Sequence, residues 1–212
     1  MFGWKSALRE KTRRSTEVSG AFDGTGTGVM SGIIATTKVA TAIGWRDVSS
    51  LQAGDQVLTF DRGLQTLTSI SRTQLWDGEG ACPRAFWPLA VPAGALENTR
   101  PMMLLGKQGV MLESDVAEEL YGDPFALIPS AALEGVHGIE RVYPNDPIEV
   151  ITLHFEDAQV VFAENGTLMF CAAGGDLLEM ATKPRTEGKL YNMLPEINAY
   201  KIVEDAPLYA CA

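Results

Sequence analysis

Residues 34–69, IATTKVATAIGWRDVSSLQAGDQVLTFDRGLQTLTS, decide the fold of this chain. Lys38–Thr41 reads as one short β-strand, and Gly44 marks a tight turn after it. Gly54-Asp55 then leads into a second strand at Gln56–Thr59. The segment therefore predicts paired short strands joined by tight turns.

Further short β-type runs, each bounded by turn residues, follow along most of the chain. Many short strands at this spacing are typical of an all-β, sandwich-like or disc-like fold. The firmest hairpin turns are residues 61–63 and 156–158. The predicted strands are residues 39–43, 56–60, 65–70, 86–91, 102–105, 110–112, 139–143, 149–155 and 159–163.

Two segments interrupt the β pattern and predict one or two short helices. Residues 113–121 are rich in helix-forming residues, with Asp115 placed to cap the helix and Gly122 to end it. Residues 130–133 predict a single helical turn. The chain is thus divided into a basic, Gly/Thr/Ser-rich flexible segment at 1–31, a β domain at 32–173, and a partly helical or loose tail at 174–212.

Composition places the chain among ordinary globular proteins. Hydrophobic residues make up 46% of its 212 residues and charged residues 21%, which suits a protein with a substantial core. No apolar run approaches the roughly 18 to 20 residues that span a bilayer. We therefore expect a cytoplasmic protein without a membrane span, and export by a non-classical route stays open.

The charge of the chain is strongly acidic and unevenly distributed. The formal net charge is −10, whereas the first 20 residues carry a local +3, so the remainder carries −13. Nucleic-acid binding requires a basic face, and this balance argues against it. The basic head has no apolar core of signal-peptide length behind it, and we expect a poorly ordered N-terminus.

Cysteine and histidine are too few and too scattered to predict a metal site. Cys82, Cys171 and Cys211 form neither a CxxC pair nor a disulfide framework. His137 lies in a loop that we expect to be exposed, and His154 lies on the polar face of a strand. We expect no metal and no cofactor.

The order of several motifs resembles the Hint (hedgehog/intein) family. Residues 37–41 match its Thr-x-hydrophobic-x-Thr strand, and residues 48–57 match Val-x-x-Leu-x-x-Gly-Asp-x-Val. Residues 91–96, VPAGAL, are similar to the x-x-Ala-Gly-Ala-Leu segment of bacterial Hint proteins. Residues 160–166, VVFAENG, are similar to the Ala-Asn-Gly strand near the end of the fold. The resemblance implies a Hint fold over roughly residues 32–171.

The resemblance also implies a chemistry, because Hint domains cleave or rearrange their own backbone. A Cys or Ser at the first strand attacks the preceding carbonyl, and a Thr-x-x-His block assists the departure of the amine. In this chain the nucleophile position falls on Gly32. The threonine and histidine positions fall on Gly106 and Gly109, and we read Gly109 as a turn between two strands. All three expected catalytic side chains are therefore absent.

Three interpretations follow from these glycines. The first is a stand-alone Hint domain of bacterial type that has no canonical autoprocessing and acts as a binding or scaffold module for a protein partner. The second is self-cleavage by an atypical nucleophile, either Ser31 or Cys171, through an N-to-O or N-to-S acyl shift. The third is a thiol hydrolase that pairs Cys171 with His154.

An aromatic, Pro-rich segment offers a contact surface for the binding interpretation. Trp76, Phe86 and Trp87 are close together in the sequence. Aromatic residues of this density line ligand grooves and protein contacts. They also serve as lids over a core, and both roles stay open at this stage.

Overall fold

The computed structural model describes residues 31–173 and 191–204. This part of the chain contains fourteen strands in three sheets and two short α-helices. The predicted fold class, mostly β with one or two short helices, is therefore confirmed. Residues 1–30 of the predicted N-terminal segment, and most of the predicted tail, lie outside the described residues.

The strands form an eight-stranded sheet and two three-stranded sheets. The larger sheet has the order β10-β9-β14-β13-β2-β4-β5, with β3 paired to β2, and the smaller sheets are β1-β12-β6 and β11-β7-β8. The bounds are β1 Ile33–Ile34, β2 Lys38–Thr41, β3 Gly44–Asp47, β4 Gln56–Thr59, β5 Gly63–Thr66, β6 Ser69–Trp76, β7 Leu89–Val91, β8 Met102–Leu104, β9 Gly109–Glu113, β10 Phe125–Pro129, β11 Glu140–Arg141, β12 Ile148–His154, β13 Gln159–Ala163 and β14 Thr167–Cys171.

The Gly-Asp pair before β4 shapes a turn. The carboxylate of Asp55 accepts a hydrogen bond from the Gln52 backbone N–H at 2.9 Å and pairs with Arg46 at 3.0 Å. Gly54 has a φ of +93°, a left-handed conformation that glycine adopts without strain. The motif is therefore a structural device that fixes the entry into β4.

The larger sheet has one face in the main core and an outer face that is less covered. Val39, Val57 and Val161 are fully buried on the core side. On the outer side, Leu58 is paired with Leu64, and both are more than a third exposed. Because side chains alternate along a strand, one sheet supplies both the core and a partly apolar outer surface.

Two short helices complete the domain. α1 spans Asp115–Tyr121, and α2 spans Glu196–Glu204 and buries Ala199, Ile202 and Val203 in the main core. No helix among the described residues is long and apolar enough to cross a membrane.

The predicted run 65–70 is two strands instead of one. β5 ends at Thr66 in the larger sheet, and β6 begins at Ser69 in a smaller one. Between them, the Leu67 N–H bonds to the Asp55 carbonyl, and the Thr68 N–H bonds to the His154 carbonyl. The chain thus changes sheets within two residues, which a continuous β-type pattern does not reveal.

Three smaller predictions were wrong in their details. The cap of α1 is Ser114, whose hydroxyl accepts from the Ala117 N–H, and Asp115 is the first helical residue. The run 86–91 begins as a 3-10 turn and becomes a strand only at Leu89. Gly109 begins β9 opposite Pro129 and is not a turn.

Asn98 fixes the loop that connects β7 to β8, and its removal tests that role. The buried side chain accepts from the Leu96 N–H at 3.0 Å and donates to the carbonyls of Pro92 and Arg100. We expect Asn98→Ala to lower the free energy of unfolding by about 2 to 3 kcal/mol, because buried backbone groups lose their partners. Denaturant unfolding measures this loss. The control is Asn145→Ala at an exposed position, for which we expect a loss of about 0.5 kcal/mol or less. Equally small losses for both variants would contradict the role of Asn98 in the loop.

Candidate functional site

The nucleophile position that the family resemblance implies lies at Gly32, which has no room for a side chain. Gly32 is buried beside β12, directly before β1. A Cβ atom built there would lie closer than 3.0 Å to Cγ1 of Val150, and 3.2 Å from the Ile151 carbonyl oxygen. Real Cβ atoms essentially never approach other atoms below 3.0 Å. A cysteine or serine at this position requires the Val150 side chain to move.

The histidine position, Gly109, is also filled by its neighbours. A Cβ atom there would lie 2.8 Å from Cε of Met193 and 2.9 Å from Cβ of Phe170. Cδ1 of Leu127 lies at 3.2 Å. Apolar side chains from three separate segments therefore close over the place where an imidazole would project.

The threonine position, Gly106, faces a guanidinium group. The two terminal nitrogens of Arg141 lie 3.5 and 3.6 Å from a Cβ built at Gly106, which is ordinary van der Waals contact. Arg141 donates to the Trp87 carbonyl oxygen at 3.0 Å and pairs with Glu134 at 2.9 Å. Arg141 is thus held by other residues and fills the space beside Gly106.

Gln108 stabilises the turn between the two glycines. Its side chain is buried, and Nε2 donates to the carbonyl oxygens of Gly109 at 3.0 Å and Phe170 at 2.8 Å. The backbone N–H of Gln108 donates to the Leu105 carbonyl. The residues of this turn serve its packing and hydrogen bonding, and Lys107 is exposed.

Cys171 and His154 lie on different sheets and have different surroundings. The Cys171 thiol is buried in the main core, and desolvation raises its pKa to about 12. Nε2 of His154 lies 2.9 Å from the hydroxyl of Ser71. Within the part of the chain that the structure describes, no hydrogen bond joins Cys171 to His154. The thiol is therefore neutral near pH 7, and the geometry gives it no base.

Comparison with known proteins now identifies the family. The sequence profile described as "Hint domain" matches residues 32–168, which is more than half of the chain. The chain belongs to the Hint domain family. Comparison with curated proteins gives no match.

Solved structures similar to this Hint domain include inteins and an intein-like domain. They include a bacterial intein-like domain from Clostridium thermocellum, 14% identical, which matches 66% of this chain and 98% of that chain at a TM-score of 0.46. The MchDnaB-1 intein (N145AA) is 14% identical, with coverage of 66% and 99% and a TM-score of 0.43. The AceL NrdHF class 3 split intein variant is 16% identical, with coverage of 68% and 99% and a TM-score of 0.41. Identities and TM-scores are low, so the family assignment comes from the sequence match.

Trp76 and Trp87 meet in space through a third ring, Tyr143. Their ring centroids lie 6.0 and 5.3 Å from that of Tyr143, both in edge-to-face geometry. Trp76 also packs on the small core of Leu105, Ile148 and Val150. Each indole N–H donates to a backbone carbonyl. Trp76 thus covers a small core of this Hint domain, Tyr143 is exposed, and Phe86 is half-buried next to Trp87 in the chain.

An apolar pocket of about 260 Å³ is lined by none of the three glycines, although β9, which begins at Gly109, forms part of its wall. Its walls come from the loop 94–97, β9, the turn around His137, the β13–β14 hairpin and the end of α2. Glu97 and Glu113 also line the pocket, and both residues are exposed. The apolar residues that form its walls include Phe60, Leu96, Met111, Phe125, Phe162 and Val203.

His137 corrects one prediction and marks one edge of the pocket. The residue is half-buried instead of exposed, and its Nδ1 lies 3.3 Å from the Ala95 carbonyl oxygen. Sequence reasoning missed the pocket because its walls combine distant segments. The Thr167 hydroxyl, for example, donates to the Leu96 carbonyl across 71 residues.

Groups of three or more His, Cys, Asp or Glu side chains able to hold a metal ion are not found within residues 31–173 and 191–204.

The close contact at Gly32 predicts a measurable steric coupling. We expect Gly32→Ala to destabilise the domain by about 1 to 3 kcal/mol, because an added Cβ overpacks against Val150. Combined with Val150→Ala, the loss should be at least about 1 kcal/mol smaller than the sum of the two single losses. Urea unfolding of the four proteins in the cycle measures this coupling. As a control, Gly106→Ala should lower the free energy of unfolding by about 0.5 kcal/mol or less. Additive losses for the substitutions at Gly32 and Val150 would contradict the prediction.

The raised pKa of Cys171 predicts an unreactive thiol. Because burial favours the neutral form, the thiolate fraction at pH 8 is on the order of 10⁻⁴ and grows only as the pH approaches 12. We expect alkylation of Cys171 at pH 8 to be at least about a thousandfold slower in the folded protein than in urea. Peptide mapping of the alkylated protein gives the rate at each cysteine. Fast labelling of the folded protein with an inflection near pH 7 would mean that the thiol is activated.

Proposed function

We propose that this Hint domain does not cleave its own backbone by the family's route and acts as a binding or scaffold module. The observation that carries the proposal is the filled space at Gly32. A nucleophile there needs a Cβ atom, and that atom would overlap Val150 on β12. The missing side chain is therefore accompanied by packing that leaves no place for it.

The surroundings of the other two glycines support the same proposal. A proton donor for the departing amine would stand at Gly109, where Met193, Phe170 and Leu127 meet. A polar group beside the scissile carbonyl would stand at Gly106, against the guanidinium of Arg141. Acid-base assistance is worth typically 10²- to 10⁴-fold in rate, and neither position provides it.

Self-cleavage from Ser31 is the second candidate, because Ser31 is exposed and directly precedes Gly32. In this reaction the Ser31 hydroxyl oxygen attacks the carbonyl carbon of residue 30. The C–N bond breaks, the Ser31 nitrogen takes up the hydroxyl proton, and an ester remains that water hydrolyses. A serine hydroxyl needs a base to react in this way. Cys171 would form a thioester instead, and its burial and raised pKa disfavour that route.

The binding role rests on two surfaces. The pocket beside His137 has the apolar walls and few polar groups that are typical of ligand sites. The cluster of Trp76, Trp87 and Tyr143, with Phe86 adjacent in sequence, is the second proposed contact for a protein partner. The net charge of −10 disfavours nucleic acid as that partner.

Intact mass spectrometry of the freshly expressed 212-residue chain tests the loss of self-cleavage. The protein is measured before and after incubation with hydroxylamine or a strong thiol, which trap internal esters and thioesters. We expect one unchanged full-length species, and we expect Gly32→Cys not to restore cleavage because the added side chain meets Val150.

A fragment that begins at Ser31, or a break beside Cys171, would contradict the proposal. Ser31→Ala and Cys171→Ala would then identify the nucleophile, since only one of them would abolish the fragment. His154→Ala tests the third interpretation, because it removes the imidazole that would act as the base for Cys171.

A further inference from the structure

We propose that the pocket beside His137 is a peptide-binding site and that its occupant is residues 205–212 of the same chain, with Leu208 and Tyr209 as the anchoring side chains. The proposal rests on the binding role argued above and names the chemistry of the ligand, a short apolar peptide. It does not depend on whether the chain cleaves itself.

The walls of the pocket suit large apolar side chains. Phe60 and Phe125 pack edge to face with their ring centroids 4.9 Å apart, and Phe162 lies 6.3 Å from Phe60. All three rings line the pocket and are only half-buried. Removing such rings from water is a substantial driving force, on the order of 25 cal/mol per Å² of apolar surface. The pocket therefore favours an occupant that presents aliphatic or aromatic groups.

The position of α2 favours residues 205–212 over other occupants. Val203 lines the pocket, and α2 ends at the next residue, Glu204. Leu208 follows Val203 by five residues, a separation that an extended chain spans with up to about 17 Å. A short tether of this kind holds its ligand at an effective concentration in the millimolar range. Even a weak intrinsic affinity would then keep the pocket occupied.

The sequence of the segment, DAPLYACA, matches the pocket in chemistry. Leu208 and Tyr209 are adjacent and have the two largest apolar side chains of the segment, so they are its candidates to enter the pocket. Pro207 fixes its own φ and restricts Ala206 to extended backbone, which favours an extended peptide. Tyrosine combines a large apolar ring with a hydroxyl that can stay in water.

Residues 191–194, which follow β14 in the chain, already cover part of the apolar sheet face that carries Phe125. The Leu194 N–H donates to the Leu127 carbonyl at 2.8 Å, and Met193 forms a parallel bridge with Leu127. The ring of Tyr191 packs edge to face on Phe170 at 5.8 Å. Phe125 and Leu127 are two residues apart on β10, so their side chains lie on the same face of the sheet. The pocket at Phe125 thus continues an apolar surface that residues following β14 cover elsewhere.

Cross-linking in the full chain tests the proposal with a thiol that the segment already contains, Cys211. Glu113→Cys places a thiol that can pair with Cys211 at an exposed residue that lines the pocket. Glu156→Cys is the matched control, since it is exposed and lies before the start of β13, whereas the pocket lies at the end of that strand. Mild oxidation followed by peptide mapping measures the disulfide from each position to Cys211.

We expect the disulfide from position 113 to form at least about tenfold faster than the one from position 156. In a chain that also carries Leu208→Ser and Tyr209→Ser, the rate from position 113 should fall to that of the control. Equal rates from both positions, or a rate from position 113 that ignores the two serine substitutions, would overturn the proposal.

Binding of a separate peptide provides an independent measurement. The probe is the 205–212 sequence with serine in place of Cys211. We expect it to bind the Leu208→Ser/Tyr209→Ser chain at least about tenfold more tightly than the wild type, because the tethered copy no longer competes. Ala95→Phe, which fills the pocket, should abolish this binding, whereas Ala93→Phe, exposed in the same loop and not lining the pocket, should leave it unchanged.

The remaining outcomes separate this inference from the proposed function. Equal binding to wild type and variant means that the pocket takes peptides but not its own segment, so the inference falls and the binding role stands. No binding to either chain removes the pocket from both proposals, while the intact-mass result still decides self-cleavage. Preference for a peptide of residues 1–20 would assign the pocket to the basic head and overturn the inference.

Discussion

The turn between β13 and β14 joins three parts of the domain through tight packing and hydrogen bonds. Glu164 and Asn165 both have positive φ angles, and Gly166 lies so close to the Glu97 backbone that a Cβ has no room there. The buried carboxylate of Glu164 accepts from the Lys38 N–H at 2.6 Å, and its own N–H donates to the Lys38 carbonyl. The next residue, Thr167, fixes the Leu96 carbonyl. One turn thereby joins β2, the β13–β14 hairpin and the loop 94–97.

Two regions of the domain differ in how closely they are packed. In the first, the strand that follows Gly32 pairs with β12, and Val150 is too close for a Cβ at position 32 unless its side chain moves. In the second, Gly166 and the loop 94–97 form one wall of an apolar pocket. In our proposal, close packing excludes a nucleophile from the first region, and looser packing makes the second available to a ligand.

The sequence predicts the fold better than it predicts the site. Local motifs carry the fold: the Gly-Asp turn needs only Asp55, Gln52 and Arg46, all within nine residues. The glycines at the positions that the resemblance implies are equally visible in the sequence. What fills their space is not, because Val150 lies more than a hundred residues from Gly32 and Met193 reaches Gly109 from beyond β14. The change of sheet at Leu67 and the burial of His137 escaped prediction for the same reason, since both depend on partners far along the chain.

The neighbours of Gly106 and Gly109 bear on the proposed absence of self-cleavage, because both glycines are closely surrounded. Met193 and Phe170 occupy the space at Gly109, and Arg141 stands at Gly106 with its guanidinium held by Glu134 and the Trp87 carbonyl. Each of these groups also has contacts of its own that stabilise the fold, as Met193 does through its bridge to Leu127. A histidine placed at position 109 would therefore displace this packing. Because residues in contact do not change independently, we expect that side chains at these glycines would need coordinated substitutions of the residues packed against them.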